Sequence, residues 1–516
     1  MICSHVRRYC AETPDRTAFV IGGSTFDYGA FGAYVSGIAA RIADRWANET
    51  VVGVLAHDDV ETYASIFAIW FLGKTFVPLG PTTPPDRNRR ILEQAGLRVV
   101  LSARADGLAG LENEPGITFE ATKGLRKDGP LPEPRAVATT DDAYILFTSG
   151  STGQPKGVPI SFGALEAFLR AFDAMGFDVT SDDRVLQMFD LTFDLSLMSY
   201  CVPLTKGASC YTVAPDAIKY LAIYDLMEKH ELTIALMVPS ILAHLRPFFP
   251  EIRLEKARAA LFCGEALFAD LADAWAACVP NARVENVYGP TEATIFCTTY
   301  TCVRGGKHGL APMKGANGVV SIGKPMLDMG ILIVDPASVP HAPRPMPVGE
   351  KGELCLTGPQ LTHGYWKNPE KNREAFFEFE GKRYYRTGDL CSVDAEGDGI
   401  FAGRVDHQVK VQGFRVELGE IDHHVREITG LAQAAAVAVP DAIGNTTIHL
   451  YLEAPAGERP DPIPQLKTRL ASYMIPTRTT YLDKMPLNAN GKIDRPALVR
   501  LSAAKGGAEN NEKSHA

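Results

Sequence analysis

Long apolar stretches are absent from the 516-residue sequence. It contains no run of about 18 uncharged apolar residues, the length that a membrane-spanning helix requires. The N-terminal segment MICSHVRRYCAETPDR also lacks the continuous apolar region of a secretory signal. We therefore expect a soluble, cytoplasmic protein with no membrane insertion.

Paired cysteines and an excess of positive charge are absent as well. The ten cysteines form no CxxC pair, which argues against a zinc site or a disulfide framework. Most of them are expected to be small buried side chains. Lys and Arg total 52 against 61 for Asp and Glu, which gives a net charge of −9. This balance argues against the concentrated basic face of a nucleic-acid-binding protein.

Apolar, β-rich runs alternate with helical patterns through most of the chain. Strand candidates at 51–56 and 184–187 and helix candidates at 64–73 and 87–95 are examples. This alternation predicts stacked α/β units with mainly parallel sheets. From Gly349 onward the pattern changes to Gly-rich hairpins, which are typical of a β-rich subdomain.

The residues after Val409 have the pattern of a compact α+β unit with a helix at Glu420–Thr429. The predicted fold class is therefore α/β, with a large N-terminal domain of stacked α/β sheets plus a β-rich subdomain, and a small mobile α+β C-terminal domain. The predicted boundaries are 1–405 for the N-terminal core domain, 406–502 for the mobile domain and 503–516 for a disordered tail.

A run of small and hydroxyl side chains follows the apolar strand candidate that begins at Tyr144. Glycines let a backbone approach a polyphosphate closely, hydroxyls and amides donate hydrogen bonds, and a lysine adds positive charge. The Walker pattern needs Ser or Thr directly after its lysine, whereas Gly157 follows Lys156 here. A flexible connector is the alternative interpretation. The residues of the predicted phosphate loop are Thr148, Ser149, Gly150, Ser151, Thr152, Gly153 and Lys156.

Three further polar segments are NVYGPTEATIF at 286–296, YYRTGDL at 384–390 and GRVDHQVKVQGFRVELGEID at 403–422. Alone, each is typical of a surface turn or a solvated helix face. Together with the phosphate loop, they make the chain resemble the adenylate-forming superfamily, which includes nonribosomal peptide synthetase adenylation domains, acyl-CoA synthetases and luciferases. The resemblance spans about residues 10 to 495 and includes KTFVPLGPTTPPDR, GELCLTGPQLTHGYW and NANGKIDR.

Members of this superfamily join a carboxylate to the α-phosphate of ATP and expel pyrophosphate. The resemblance therefore implies ATP and Mg²⁺ as cofactors, with the phosphate loop on the β and γ phosphates. It also implies that a small domain rotates between the two half-reactions. The resemblance further implies that Thr291 binds the α-phosphate, Glu292 binds Mg²⁺, and Asp389 binds the ribose with help from Arg404. It implies that Tyr288 and Asn286 contact adenine. Lys492 would bridge the substrate carboxylate and the α-phosphate, and Asp406 would be the hinge.

The segment LTFDLSLMSY places Asp194 between Phe193 and Leu195, in an otherwise apolar strand-to-helix context. A carboxylate there requires a cation, because burial of an unpaired charge is costly. By resemblance, Asp194 pairs with the α-ammonium of an amino acid, and capping of the following helix is the alternative. The other residues that the resemblance places in the acid pocket are all apolar, namely Leu195, Met198, Met237, Leu261, Cys263, Val287, Ile295 and Phe296.

This apolar set predicts a small aliphatic, alanine-like amino acid as the substrate. The segments FDLSLM and LFCGEAL, with Cys263, are similar to stand-alone D-alanine:carrier-protein ligases, in which the cysteine favours the D enantiomer. Ser199, Tyr200 and Phe296 depart from that pattern. L-alanine, glycine, serine, 2-aminobutyrate and a β-amino acid therefore stay open.

A phosphopantetheinyl carrier protein in trans is the expected thioester acceptor, because no carrier domain follows NGKIDRPAL. Coenzyme A is the alternative acceptor, and an acyl-CoA synthetase for a small carboxylic acid is the alternative enzyme. A catalytically silent adenylate-binding or scaffold protein is a further alternative. The presence of Lys156, Glu292, Asp389 and Lys492 argues against it.

Overall fold

The computed structural model describes residues 2–104, 110–111, 113–150, 154–305, 309–406, 408–454, 459–487 and 493–502. The chain divides into two compact units. The large unit comprises Met1–Pro81, Ile91–Phe147 and Gly157–Asp406, and the small unit comprises Thr82–Arg90, Thr148–Lys156 and His407–Ala516.

Helices are distributed along the whole described chain. Short 3-10 helices occur at Arg246–Phe248, Thr291–Ala293 and Ser472–Met474. The α-helices are α1 (Ile2–Glu12), α2 (Tyr28–Arg45), α3 (Val60–Phe71), α4 (Pro85–Ala95), α5 (Phe162–Ala174), α6 (Leu195–Lys206), α7 (Lys219–Lys229), α8 (Pro239–Leu245), α9 (Ala269–Cys278), α10 (Pro369–Ala375), α11 (Leu418–Thr429) and α12 (Ile463–Leu466).

Strands alternate with these helices in the first part of the chain and follow one another directly in the later part. They are β1 (Thr17–Ile21), β2 (Ser24–Asp27), β3 (Val51–Leu55), β4 (Thr75–Leu79), β5 (Val99–Ser102), β6 (Thr118–Ala121), β7 (Asp142–Thr148), β8 (Lys156–Ser161), β9 (Arg184–Gln187), β10 (Ser209–Thr212), β11 (Ile234–Met237), β12 (Ala259–Phe262), β13 (Arg283–Tyr288), β14 (Thr298–Cys302), β15 (Gly315–Ala316), β16 (Val319–Val320), β17 (Lys324–Pro325), β18 (Gly330–Val334), β19 (Gly352–Thr357), β20 (Phe376–Phe379), β21 (Lys382–Val393), β22 (Gly399–Arg404), β23 (Gln408–Val411), β24 (Phe414–Glu417), β25 (Ala434–Pro440), β26 (Thr446–Glu453) and β27 (Arg478–Leu482).

The large unit is built on three extended sheets. A nine-stranded sheet has the order β17-β14-β13-β12-β11-β9-β10-β1-β2, and a six-stranded sheet has the order β6-β5-β3-β4-β7-β8. The neighbours β11 and β12, β12 and β13, and β3 and β4 pair in parallel. The third sheet has the order β18-β19-β21-β20, with β22 beside β21, and its pairs are antiparallel. Parallel strands therefore supply the carboxyl-end edges at which α/β proteins bind ligands.

Helix α3 shows how the core of the large unit forms. Every residue of α3 except Glu61 is buried, as expected for a helix that is apolar on all sides. The helix begins where the Asp59 carboxylate accepts a hydrogen bond from the Thr62 amide at 2.8 Å. Strand β4 is buried along its whole length, because helices cover both faces of a parallel sheet.

The small unit contains its own sheet and core. β25 and β26 pair antiparallel, β26 and β27 pair in parallel, and β23 and β24 form a hairpin. Helix α11 ends at Gly430, which adopts the left-handed conformation (φ 70°) that glycine accepts without a steric cost. Side chains from α11 and the three-stranded sheet form a separate buried cluster that includes Ile421, Val425 and Leu450.

The predicted α/β fold class is confirmed. The strand candidates at 51–56 and 184–187 correspond to β3 and β9, and the helix candidates at 64–73 and 87–95 correspond to α3 and α4. Helix α3 begins earlier than predicted, because Asp59 caps it. The predicted domain boundaries stay a prediction, and the predicted tail at 503–516 lies outside the described residues. Among the described helices, none is long and apolar enough to cross a membrane.

A half-buried carboxylate connects two sheets of the large unit. Asp58 follows β3, and its Oδ2 accepts a hydrogen bond at 2.7 Å from the Thr212 hydroxyl at the end of β10. The Tyr63 hydroxyl donates to Oδ1 at 3.3 Å. Burial raises the pKa of Asp58 from 3.8 to about 6, against the opposing effect of these two hydrogen bonds. The ionised carboxylate therefore destabilises the folded state.

We expect Asp58→Asn to stabilise the protein more at high pH than at low pH. The folded-state pKa of Asp58 lies above the unfolded value, so the folded protein binds the extra proton and wild-type stability falls as pH rises from 3.8 to about 6. The advantage of the variant in free energy of unfolding should grow by about 1 kcal/mol between about pH 5 and pH 8. Denaturant unfolding of both proteins at the two pH values measures it. An equal gain in free energy of unfolding at both pH values would contradict the raised pKa of Asp58.

Candidate active site

Asp389 is the centre of a charged cluster in the large unit. It lies on β21 opposite Arg404 of β22 in the strand register, and it is 7% exposed. The Tyr288 hydroxyl donates to Asp389 Oδ2, and Arg404 Nη1 donates to Asp389 Oδ1. Burial, reinforced by the Asp389 carboxylate, raises the pKa of the Tyr288 hydroxyl. Since each carboxylate oxygen has two lone pairs, this cluster can still accept two further hydroxyl donors.

Arg404 also connects this cluster to the predicted hinge residue. Arg404 Nε donates to Asp406 Oδ1 at 2.6 Å, and Arg404 Nη2 donates to Asp406 Oδ2 at 2.9 Å. Asp389, Arg404 and Asp406 therefore form one continuous chain of ion pairs. The large unit ends at Asp406. The role of Asp406 as a hinge stays a prediction, and the link through Arg404 to both carboxylates was not predicted.

Asn286 lies on β13 and is 4% exposed. Its amide nitrogen donates to the backbone oxygens of Ser321 at 2.8 Å and Val320 at 3.3 Å. These two hydrogen bonds fix the Asn286 side chain and occupy its amide nitrogen as a donor. The amide oxygen is then the atom that can accept a hydrogen bond from an exocyclic amine, in line with the predicted role.

Thr291 and Glu292 lie in the 3-10 helix that directly follows β13. Glu292 is fully buried, and its Oε1 accepts a hydrogen bond from the Tyr365 hydroxyl at 2.7 Å. Its backbone oxygen accepts a second bond from the Thr362 amide at 2.8 Å. Sequence reasoning missed Tyr365 and Thr362, because they lie far from Glu292 in the chain.

A divalent cation fits the buried Glu292 carboxylate. Burial of a carboxylate is costly unless a cation or donors compensate for it. Within the described part of the chain, no group of three or more His, Cys, Asp and Glu side chains could hold a metal ion. Mg²⁺ commonly binds through one or two carboxylates together with substrate phosphates and water. Glu292 can therefore hold Mg²⁺ only where a polyphosphate supplies further ligands.

The described part of the phosphate loop belongs to the small unit. The Ser149 hydroxyl donates to the backbone oxygen of Arg415 at 2.7 Å. The Gly150 amide donates to the carboxylate of Glu420, which also pairs with Arg87 at 2.8 Å. Burial raises the pKa of Glu420, while Arg87 and the Gly150 amide oppose that rise. Sequence reasoning missed Arg415 and Glu420 as partners of the loop.

Two further observations support a phosphate-binding role for this loop. The Thr148 hydroxyl is buried and finds no hydrogen-bond partner among the described residues. A Cβ atom at Gly150 would lie 2.1 Å from the backbone oxygen of Gln154, so only glycine fits there. Lys156 begins β8 and is half-buried. Ser151, Thr152, Gly153 and Lys492 lie outside the described residues.

Asp194 directly precedes α6 and is 3% exposed. Its side chain makes no capping hydrogen bond to the helix, so the alternative interpretation of Asp194 as a helix cap is wrong. Burial raises the pKa of the Tyr144 hydroxyl, and the negative charge of Asp194 raises it further. The Asp194 carboxylate therefore lies close to Tyr144. A buried carboxylate at this position is consistent with a cationic substrate group.

The predicted pocket residues come from α6, the ends of β11 to β13 and the turn before β14. Leu261 and Cys263 share one face of the nine-stranded sheet with Val287, since Leu261 pairs with Glu285. Phe296 packs edge-on against Phe168 at 5.0 Å between ring centroids. All the predicted pocket residues are at most 2% exposed, namely Leu195, Met198, Met237, Leu261, Cys263, Val287, Ile295 and Phe296.

The strand register shows which residues of β11 lie beside Leu261. Met237 pairs with Phe262, whereas Leu236 pairs with Leu261. Paired residues in a sheet point to the same face, and successive residues point to opposite faces. Leu236, and not Met237, therefore shares the face of Leu261 and Cys263. Met237 is the last residue of β11, and its backbone oxygen accepts a hydrogen bond from the Cys263 amide at 3.1 Å. Its place in the acid pocket stays a prediction.

Comparisons with known proteins agree with this geometry. A family model described as "AMP-binding enzyme" matches residues 6–366. The chain is 31% identical over 499 residues to tyrocidine synthase 1 of Brevibacillus parabrevis, covering 94% of this chain and 43% of that protein. The chain thus spans less than half the length of that relative. It is 30% identical over 517 residues to D-alanine--D-alanyl carrier protein ligase of Bacillus cereus (strain B4264), covering 96% of this chain and 99% of the ligase.

A solved structure has the same fold. The Vibrio cholerae adenylation domain AlmE, in complex with glycyl-adenosine-5'-phosphate, matches with a TM-score of 0.83 and 26% sequence identity over 98% of each chain. The predicted resemblance and the predicted class of enzyme, an AMP-forming ligase, are thereby confirmed. The chain belongs to the AMP-binding family of adenylate-forming enzymes and is related to D-alanine carrier protein ligase and to the adenylation domains of nonribosomal peptide synthetases.

Proposed function

We propose that this enzyme activates a small aliphatic, alanine-like amino acid as the aminoacyl-AMP and transfers it to the phosphopantetheine thiol of a separate carrier protein. The buried carboxylate of Asp194 carries the proposal. A desolvated carboxylate beside an apolar pocket is stabilised by a cation of opposite charge, and the α-ammonium of an amino acid supplies one. A fatty acid or another desamino acid has no such group.

The size of the proposed substrate rests on the apolar pocket face of Leu236, Leu261, Cys263 and Val287. Because these side chains are apolar or only weakly polar, a polar substrate side chain would lose hydrogen bonds to water that they do not replace. The relatives support a small amino acid, since one is named for D-alanine and the solved adenylation domain holds a glycyl adenylate.

The proposed first step joins the acid to AMP. A carboxylate oxygen of the amino acid attacks the α-phosphorus of ATP, the bond to the bridging oxygen breaks, and its electron pair leaves with pyrophosphate. Thr291 binds the α-phosphate, and Asp389 accepts the ribose hydroxyls while Tyr288 and Arg404 fix its orientation. Mg²⁺ on Glu292 would neutralise phosphate charge. Lys492, in the sequence segment NANGKIDR, bridges the substrate carboxylate and the α-phosphate.

The remaining predicted residues are assigned either to phosphate binding or to transfer of the aminoacyl group. The phosphate loop binds the β and γ phosphates through the hydroxyls of Thr148, Ser149, Ser151 and Thr152, the amides of Gly150 and Gly153, and the Lys156 ammonium. Ser149 and Gly150 then exchange Arg415 and Glu420 for phosphate oxygens as hydrogen-bond acceptors. In the second step, the acceptor thiolate attacks the carbonyl carbon of the adenylate and AMP leaves. Asp406 is the proposed hinge of the domain rotation between the two steps.

Exchange of labelled pyrophosphate into ATP tests the substrate class. The panel contains D-alanine, L-alanine, glycine, serine, 2-aminobutyrate, β-alanine and propionate. We expect strong exchange with at least one small amino acid. Mass spectrometry of the aminoacyl thioester then compares a phosphopantetheinyl carrier protein with coenzyme A. Preferential loading of coenzyme A would identify coenzyme A, and not a carrier protein, as the thioester acceptor.

Cys263 is proposed to shape the pocket without affecting its charge. Cys263→Ala removes side-chain volume next to the pocket face, so discrimination between D- and L-alanine should relax and 2-aminobutyrate should become a better substrate. Loss of one small apolar group changes discrimination by about tenfold, while the rate with the best substrate stays within about tenfold. The same exchange panel measures both effects. Unchanged discrimination between these substrates would contradict the assignment of Cys263 to the pocket.

A further inference from the structure

The turn between the predicted metal ligand and the acid pocket has a strained backbone. Thr294 and Ile295 adopt left-handed conformations with φ of 55° and 74°. Two consecutive β-branched residues rarely adopt positive φ, and such strain persists only where surrounding structure holds it. The turn separates Thr291 and Glu292 from Phe296 on the pocket wall. Whatever holds this turn therefore sets the positions of both groups.

Gln360 is the side chain that holds the turn. It is fully buried, and no role was predicted for it. With its amide oriented by the hydrogen-bond network, the nitrogen donates to Phe296 O at 3.0 Å and Ala293 O at 3.3 Å. The Thr294 hydroxyl donates in return to the backbone oxygen of Gln360 at 2.5 Å. These three bonds enclose the strained residues from both sides.

The same segment also holds the predicted metal ligand. Thr362 and Tyr365 follow Gln360, and they bind the backbone oxygen and the carboxylate of Glu292. The Thr362 hydroxyl in turn donates to the backbone oxygen of Pro159 at 2.5 Å. The 360–365 segment is thus anchored in the large unit at Pro159, and it supports the turn on both sides of the strained residues.

We infer that Gln360 is a positioning residue that locks the Thr294–Ile295 turn and thereby couples the predicted nucleotide-binding residues to the wall of the acid pocket. In this assignment, Gln360 acts by fixing where Thr291, Glu292 and Phe296 lie and not by binding a substrate itself. This inference rests on the proposed function for the identity of the two substrates. The contacts themselves do not depend on which acid is activated.

Gln360→Met tests the inference, because methionine has a similar length and no donor. Displacement of reacting groups by a small distance can cost about a hundredfold. We expect kcat/KM for adenylate formation to fall about tenfold to a hundredfold for ATP and for the amino acid together. Discrimination between alanine and 2-aminobutyrate should also weaken, which a general loss of stability would not cause. Steady-state pyrophosphate exchange and thermal unfolding are measured on the same samples.

A second variant keeps the test decisive if Gln360→Met folds poorly. Asparagine adopts the left-handed conformation more readily than threonine does. Thr294→Asn should therefore restore at least part of the activity and the discrimination when it is added to Gln360→Met. Unchanged kinetics in Gln360→Met, or a loss that Thr294→Asn does not repair, overturns the inference. Failure of the wild type to activate any amino acid in the same assay would instead contradict the proposed function.

Discussion

Asp194→Ala is expected to lower the activation of alanine by about a hundredfold or more. Removal of one partner from a buried ion pair costs about 3 to 5 kcal/mol, because the remaining charge stays buried without compensation. Each 1.36 kcal/mol corresponds to about a tenfold change. Asp194 is a carboxylate that is only 3% exposed, and the substrate ammonium is the cation proposed to bind it. The measurement is kcat/KM in pyrophosphate exchange.

Propionate and an exposed aspartate provide the controls for Asp194→Ala. Propionate lacks the ammonium, so the variant should lose little activity with it or even gain some. Asp190 lies nearby on the surface, and its carboxylate accepts bonds at 2.8 Å from the amide and the hydroxyl of Thr192. Asp190→Ala should therefore leave the ratio of alanine to propionate unchanged. If Asp194→Ala weakened both acids equally, the carboxylate would not bind the ammonium.

Lys492→Ala is expected to abolish adenylate formation and to leave thioester formation from a supplied aminoacyl-adenylate nearly intact. The ammonium is proposed to stabilise charge that develops between the substrate carboxylate and the α-phosphate. Removal of one preorganised electrostatic group from a transition state costs about 3 to 4 kcal/mol, which is roughly a hundredfold to a thousandfold in rate. The two half-reactions are measured separately, by pyrophosphate exchange and by carrier loading from synthetic adenylate.

Lys484→Ala is the matched control, because this lysine is exposed and lies in the same part of the chain. It should leave both half-reactions within about twofold, as expected for an isolated surface charge. Equal losses of both half-reactions in Lys492→Ala would show that the lysine acts in general folding or binding. That outcome would reject its assignment to the first step.

Local sequence patterns predicted the elements of the fold well. β9 occupies the predicted residues 184–187, and the helix predicted at 420–429 is part of α11. Periodicity and glycine signals are local, so they locate elements without the rest of the structure. Helix α3 was placed too late in the chain, because its start depends on the side chain of Asp59 and not on the apolar pattern.

The connections within the site could not be predicted in the same way. The family resemblance named Glu292 and Asp389, but the tyrosine hydroxyls that donate to their carboxylates lie 73 and 101 residues away in sequence. Thr294 and Gln360 are 66 residues apart, and Ser149 and Arg415 are 266 residues apart. Such contacts form only when the tertiary fold is complete, and a single glutamine in an apolar segment carries no local signal of its partners.

The central claim is that the buried Asp194 makes this family member an amino-acid-activating enzyme. The most direct test is the ratio of kcat/KM for its best small amino acid to that for propionate in wild-type pyrophosphate exchange. The account predicts a ratio of about a hundred or more, set by the charge pair that propionate cannot form. A ratio near one, or a preference for propionate or a longer fatty acid, would contradict it and favour an acyl-CoA synthetase.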